Sequence, residues 1–469
     1  MTLPRPANRS WWLEEALALP GFAGAPCPSL DRDLIADVVI VGGGYTGMWT
    51  AWFLTEREPG IDVVLLEQDI CGGGPSGRNG GFVNGFLDEA WTLIERFGDE
   101  GRRTVDLAER SIDEIGAWCA DDGVDAWFER NGDLGISTSR AQDRVLAELL
   151  EEAEAHGYGD VCRPLDPGEA RERFDSPVAR TGVHLTQAAL VQPARLARGL
   201  RRLLLERGVR IFEGTPVTRF RARPPVRAET PGGTVRAGRA ILGVNAWAVA
   251  WRAFGRSLMV RGTYIVLTAP APDRLEAMLW TGGEGVFDLR TALHYLRTTP
   301  DGRIAFGGGG LRVAPKRIVA SYRYEERSVA ELAREFRRWF PAFDGVELES
   351  AWGGPVDVSG LHLPFFGTLP GGAAHYGLGF TGNGVGPCHL GGKILSGLAL
   401  GVEDEATSLP LAHMEPKRFP PEPLFTPGER IATHAILRKD AREDRGRSAG
   451  PLTGALAGLP RRMGYNLGP

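Results

Sequence analysis

Lysine is scarce in this chain: only Lys316, Lys393, Lys417 and Lys439 occur among 54 basic residues. The remainder are arginine, a skew that codon bias in a GC-rich genome accounts for. Cysteine is scarce too. Cys27, Cys71, Cys119, Cys162 and Cys388 are scattered and odd in number, with no CxxC and no Cys/His spacing. This pattern argues against a zinc-type site and a disulfide framework, and it predicts a reducing, cytoplasmic setting. No uncharged apolar run reaches the roughly 18 residues of a membrane span, and no basic start leads into an apolar stretch. Positive charge is not in excess. With a net charge of −5, neither nucleic acid nor an anionic membrane is an expected partner.

What is present is an ordinary globular composition, 43% hydrophobic and 24% charged, over 469 residues. One core rarely grows that large, so two interleaved domains are expected. Residues 11–17 predict a short amphipathic helix that docks Trp11 and Trp12 on the body. Residues 37–41 form a β-branched apolar run that ends in Gly42-Gly43-Gly44. A helix to Arg57 and a second strand at 62–67 complete one βαβ unit. Helical patterns follow within 87–130, 143–156 and 196–207. Residues 209–220 and 240–244 read as strands. The segment 258–345 alternates in the β sense, which predicts a mostly antiparallel sheet apart from the parallel one. From Val402 the chain is rich in proline and charge and reads as an ordered tail over the surface.

Gly42, Gly44 and Gly47 make a G-x-G-x-x-G turn between a strand and a helix. The first glycine permits the tight turn, the second leaves room for a pyrophosphate, and the third lets helix and strand pack closely. The helix start at Tyr45 and Thr46 offers N–H groups and a partial positive charge. Glu67 closes the second strand, with Gln68 beside it, and suits the hydroxyls of an adenosine ribose. A second donor-rich loop follows at once and contains Ser76, Arg78, Asn79, Gly80 and Gly81. A third glycine turn, with Gly382, Asn383, Gly384 and Val385, opens an apolar helix near the C-terminus. Three such elements suit a long cofactor gripped at both ends, FAD rather than NAD. An NAD-dependent dehydrogenase would leave the second and third without a purpose. A flavin hydroxylase and a non-enzymatic flavin module are further alternatives.

The stretches ADVVIVGGGYTGMWTAWFL from Ala36, GPSGRNGG from Gly74, FDLRTALHYLRTTPDGRIAFGGG from Phe287 and GLGFTGNGVGP from Gly377 carry a resemblance. The chain resembles the D-amino-acid oxidase/glycine oxidase superfamily. It is most similar to the branch with gamma-glutamylputrescine oxidase and the aminophosphonate oxidoreductases. The resemblance implies an α/β fold, with a Rossmann-type FAD-binding domain and an interleaved antiparallel-sheet α+β substrate domain. It implies a lead-in at 1–35, a discontinuous FAD domain at 36–95, 165–250 and 345–402, a substrate domain at 96–164 and 251–344, and a tail at 403–469. Val217 would pair its backbone with adenine, and Asn245 would lie near the phosphates or ribose. Two departures stand out: Asn383 replaces the usual histidine, and Gly386 replaces a lysine of the sarcosine oxidases. No cysteine matches their covalent flavin attachment, so FAD is expected to be non-covalent.

The expected reaction is oxidation of the C–N bond of a small amine by hydride transfer to flavin N5. The imine then hydrolyses, and O2 serves as acceptor; a dehydrogenase using another acceptor is the alternative. No acid–base residue is strictly required, so pocket residues are chosen by position. Arg78, Tyr264 and His294 are the candidate substrate contacts, with Arg297 a further anion binder. Arg78 and Arg297, with the resemblance, point to an amine that carries a carboxylate or phosphonate. Lys316 is the one lysine in the expected substrate domain and sits in a loop-like setting.

Overall fold

The computed structural model describes residues 3–309 and 318–466; Lys316 lies outside the described residues. The first β-branched run forms the strand Leu34–Val41, followed by the helix Tyr45–Arg57 and the strand Val63–Leu66. These strands belong to a parallel sheet ordered Arg210–Phe212, Val63–Leu66, Leu34–Val41, Gly233–Leu242, Ala374–Leu378. Phe365–Thr368 adds an antiparallel edge. The apolar runs are buried on both faces, as parallel strands are. The expected strand 209–220 is two strands. It breaks after Phe212 and resumes at Arg219–Arg221, in a hairpin with Val226–Thr230 that pairs the first half of Gly233–Leu242.

A second sheet of nine strands is mostly antiparallel. Its order is Arg5–Pro6, Leu348–Ser359, Leu258–Thr268, Ile304–Gly308, Tyr295–Thr298, Gly285–Asp288, Asp133–Ile136, Gly182–Leu185, Cys162–Leu165. Strands from 165–250 and 345–402, segments expected in the FAD domain, therefore also enter this sheet. The segment 258–345 is not β throughout. Glu326–Trp339 is a helix, and its Val329, Leu332, Ala333 and Phe336 recur at helical spacing. That helix covers one face of the sheet, against Tyr264, Val266, Leu296 and Phe306. The opposite face, with Ile265, Leu267, Ala305 and Trp352, meets the helix Pro193–Glu206 at Ala194.

The lead-in and the tail are both ordered. Ser10 caps the helix Trp11–Ala18 by accepting from the Leu13 N–H at 3.1 Å. Trp12 is fully buried and meets Trp352 edge-to-face at 6.1 Å. The tail seats Phe419 and Phe425 on Met259 and Val358. Its helix Phe425–Glu443 turns Asp440 inward to accept from the Ala292 N–H at 3.0 Å.

Because Trp12 fills the junction between lead-in and sheet, Trp12→Ala is expected to cost about 3–5 kcal/mol. Denaturant unfolding of the purified protein checks this. A loss below about 1 kcal/mol would mean that the lead-in is not part of the core.

Candidate active site

The glycine turn divides its labour unevenly. Gly42 has φ 110°, and a Cβ there would lie 2.3 Å from the Gly243 carbonyl oxygen. A Cβ on Gly47 would lie 2.0 Å from the Gly42 oxygen. Both are demanded by the fold itself. Gly44 is different. Its backbone is ordinary, and its Cβ would meet only the Ser76 hydroxyl, at 3.0 Å. The missing side chain keeps the helix start open, as a bound diphosphate requires. The Tyr45 N–H donates to Ser76 Oγ at 2.9 Å. The side chains of Tyr45 and Thr46 turn inward: the phenol donates to the Pro193 carbonyl at 2.6 Å, and the Thr46 hydroxyl lies 3.1 Å from the Cys388 thiol. These two residues therefore offer backbone, not side chain, at the helix start.

Glu67 sits under the turn. One oxygen accepts from the Gly43 N–H at 2.7 Å and the other from the Asp69 N–H at 2.9 Å. Burial raises its pKa, against the pull of those amides. Each oxygen keeps a second lone pair for a ribose hydroxyl. Gln68 is exposed beside it, and Val217 lies half-buried in a stretch that no strand pairs among the described residues.

The loop after Ser76 is rigid. The Asn79 amide donates to the carbonyls of Pro75 and Ser76, and its oxygen accepts from the Gly81 N–H at 2.7 Å. Gly80 faces Phe82 and Tyr295, and Gly81 has φ 81° against the Val191 carbonyl. Arg78 is buried and spends its nitrogens on backbone. Nε donates to Gly73 O at 2.9 Å, Nη1 to Gly353 O at 3.3 Å and Nη2 to Asn8 O at 2.6 Å. Burial lowers its pKa to about 10, with nearby Arg323 adding to the shift. The side chain ties loop, sheet and lead-in together.

At the far end, Gly382 is exposed with φ 95°, and Gly384 precedes the helix Val385–Leu400 without any side-chain cap. That helix start is open in the same way as the first. The Asn383 amide donates to Gly85 O at 2.8 Å. A Cβ on Gly386 would lie 2.3 Å from Asn84 O. Packing therefore leaves no room for the lysine of the sarcosine oxidases.

Asp357 escaped the sequence reading. It is fully buried, and it accepts from the Gly379 N–H at 2.6 Å and from the Asn245 amide at 2.8 Å. Burial raises its pKa to about 7, opposed by the Gly379 N–H. Its signal was an acid inside an apolar strand, between Val356 and Val358. Asn245 has φ 43°, and its Oδ1 is buried without a partner. That orphaned acceptor suits a hydroxyl of a ribityl chain.

The nine-stranded sheet separates the remaining candidates by face. Tyr264 is buried toward the covering helix, and its hydroxyl donates to Ser321 O at 2.8 Å. His294 is buried there too, 2.7 Å from Asp288 Oδ2 through Nδ1 and packed on Phe306 and Trp339. Both lie on the face away from the Gly80–Gly81 loop. Their chain neighbours Thr263 and Tyr295 take the facing positions, with 2.9 Å between the two hydroxyls. Tyr295 meets Phe82 edge-to-face at 6.0 Å. Burial pushes the Tyr295 phenol up to about 12, although its side chain is half-exposed. Arg297, on the same face, is buried under Gly81 and donates to the Val191 and Thr298 carbonyls.

Two open helix starts, each behind a glycine turn and carried on helices that pack together, suit a long dinucleotide, and so a flavoprotein. The chain belongs to the FAD dependent oxidoreductase (DAO) family, whose sequence profile matches residues 37–398. It is an FAD-dependent oxidoreductase. It is similar to a probable oxidoreductase OrdL of Rhizobium meliloti (strain 1021), 30% identical over 379 residues that cover 79% of this chain and 84% of that one. It is also similar to gamma-glutamylputrescine oxidoreductase of Escherichia coli (strain K12), 28% identical over 80% of this chain and 86% of that one. Among solved structures, glycine oxidase from Geobacillus kaustophilus shares the fold. The TM-score is 0.69 at 21% identity, covering 83% of this chain and all of that one.

Three outcomes are expected. Gly44→Val should fold, by circular dichroism, yet bind FAD at least about 100-fold more weakly, since the branch fills the diphosphate space. Tight FAD binding by that variant would contradict the placement. Tyr264→Phe should cost about 1–2 kcal/mol by orphaning the Ser321 carbonyl, with the bound-flavin spectrum unchanged. Tyr295→Phe should instead shift that spectrum. A reversed pattern would exchange the two faces of the sheet.

Proposed function

We propose that the protein oxidises a carbon–nitrogen bond of a small amine, using non-covalently held FAD and dioxygen as the final acceptor. The observation that carries this reading is the wall that Phe82, Thr263 and Tyr295 build against the Gly80 loop. When bound, FAD supplies a ring that accepts two electrons as hydride. The chain supplies orientation. The Thr263 hydroxyl fixes Tyr295, and Phe82 braces its ring, so the wall keeps its shape. An apolar wall desolvates an ammonium and favours the neutral amine that can be oxidised. The start of Val385–Leu400 favours negative charge beside it. Cys388 is buried, and burial pushes its thiol up to about 12, which supports non-covalent binding.

The names of the relatives support an amine: one acts on gamma-glutamylputrescine and a structural neighbour on glycine. We assign the cofactor to the parallel-sheet unit and the substrate to the nine-stranded sheet. The anion-binding role expected of Arg78 and Arg297 gains no support from their bonds, which go to carbonyls. A cytoplasmic location is consistent with five free cysteines, and no helix among the described residues is long and apolar enough to cross a membrane.

Purified protein should absorb near about 450 nm, as bound flavin does. Anaerobic mixing with a panel of amines should bleach that band, and air should restore it at the turnover rate. Bleaching by alcohols or hydroxy acids, with none by amines, would overturn the reading. Fast restoration by an artificial acceptor and slow restoration by air would make the protein a dehydrogenase.

A further inference from the structure

A cleft of about 410 Å³ opens where the tail meets the body, lined by Arg252, Ala253, Arg256, Ser257 and Arg418. Three of these five residues carry a guanidinium group, and none carries a carboxylate. The first four belong to the short loop that joins the turn Asn245–Ala250 to the strand Leu258–Thr268. Arg418 comes from the tail.

Local bonding holds the arginines around this one volume. The N–H groups of Phe254 and Gly255 both donate to the Trp251 carbonyl at 2.9 Å, and the Ser257 N–H donates to Phe254 O at 2.8 Å. These tight turns bring Arg252 and Arg256, four residues apart, to the same cleft. The Phe419 N–H donates to the Arg256 carbonyl at 2.6 Å, and Arg256 Nε returns a bond to the Phe419 carbonyl at 3.0 Å. That reciprocal pair seats Arg418 beside them. Phe419 is buried and stacks on Tyr465 at 5.3 Å, and the Tyr465 hydroxyl donates to the Arg418 carbonyl at 3.1 Å. The neighbouring Lys417 is spent on the Met463 and Gly464 carbonyls, at 2.8 Å each.

The charge in this cleft is uncompensated. Arg252, Arg256 and Arg418 are exposed, and none pairs with a carboxylate among the described residues. Other arginines do pair, as Arg57 does with Asp404 at 2.7 Å and Arg210 with Asp62 at 2.6 Å. Three like charges facing one volume repel one another, and an anion between them relieves that repulsion. Guanidinium forks match carboxylate and phosphate oxygens two at a time. The volume falls within the range of about 300–1,000 Å³ that small-molecule sites occupy. A net charge of −5 disfavours an extended polyanion such as nucleic acid. We propose that the cleft binds a small polyanion, a molecule with two or more carboxylate or phosphate groups, which bridges loop and tail. Ser257, itself buried, adds a hydroxyl. The ligand clamps the connection between the turn that carries Asn245 and the strand that carries Thr263. The site does not depend on which substrate the flavin oxidises.

The test uses the FAD-loaded holoenzyme, whose own diphosphate site is filled, in low-salt buffer. Calorimetry is run with citrate, pyrophosphate and acetate. Citrate or pyrophosphate should bind once per chain with a Kd below about 1 mM, and acetate at least about tenfold more weakly. Saturation by citrate alone marks a carboxylate ligand and by pyrophosphate alone a phosphate ligand; either supports the site. Arg252→Gln and Arg418→Gln remove no side-chain hydrogen bond among the described residues, so both should fold with full FAD content. Each should weaken binding at least about fivefold, one from the loop side and one from the tail side. Arg171→Gln, at an exposed position on the helix Pro167–Arg173, should leave binding unchanged. No saturable binding of either polyanion below about 10 mM overturns the proposal. Binding that survives Arg252→Gln or Arg418→Gln, or that Arg171→Gln weakens equally, overturns it too.

Discussion

Everything in this protein is hung on one close approach of backbone to backbone. The Gly243 carbonyl lies under Gly42, and the Gly42 carbonyl lies under Gly47, at distances that exclude even a methyl group. Those contacts fix where the helix Tyr45–Arg57 begins and which way its start points. The helix Val385–Leu400 then packs on it so tightly that a Cβ on Gly392 would lie 2.7 Å from the Trp49 Cβ. Two helix starts, more than 300 residues apart in sequence, are thereby held in one frame. Each presents the positive end of a helix dipole.

The nine-stranded sheet serves two purposes through its two faces. One face is core, with Tyr264, His294 and Phe306 under the helix Glu326–Trp339. The other presents Thr263 and Tyr295 to the loop at Gly80. Because the side-chain period of a strand is two, neighbours in sequence have opposite fates. Loop and sheet are joined by Arg78, whose carbonyl also accepts from the Trp352 indole at 2.9 Å. An arginine that would read as an anion hook is thus a tie between loop, sheet and lead-in.

The parts legible in the sequence are those with a local cause. A β-branched run followed by glycines and an acid at the end of the next strand specify the βαβ unit. Pro387 after a glycine turn specifies the start of a buried helix. The two lead-in tryptophans mark an amphipathic segment that must dock. Each follows from backbone sterics or from burial of one face, and neither needs distant residues to be known. Alternation likewise revealed the strands around 263 and 295.

Which face of those strands meets the Gly80 loop was decided only by the tertiary structure, since alternation defines two faces and ranks neither. The same holds for Asp357, whose partners Asn245 and Gly379 come from other segments. By itself the sequence determined the FAD family and the two glycine turns with their helix starts, because turns and helix starts are local structures. The fold alone decided what surrounds the reacting atoms, because burial and charge pairing depend on neighbours that the chain supplies from a distance.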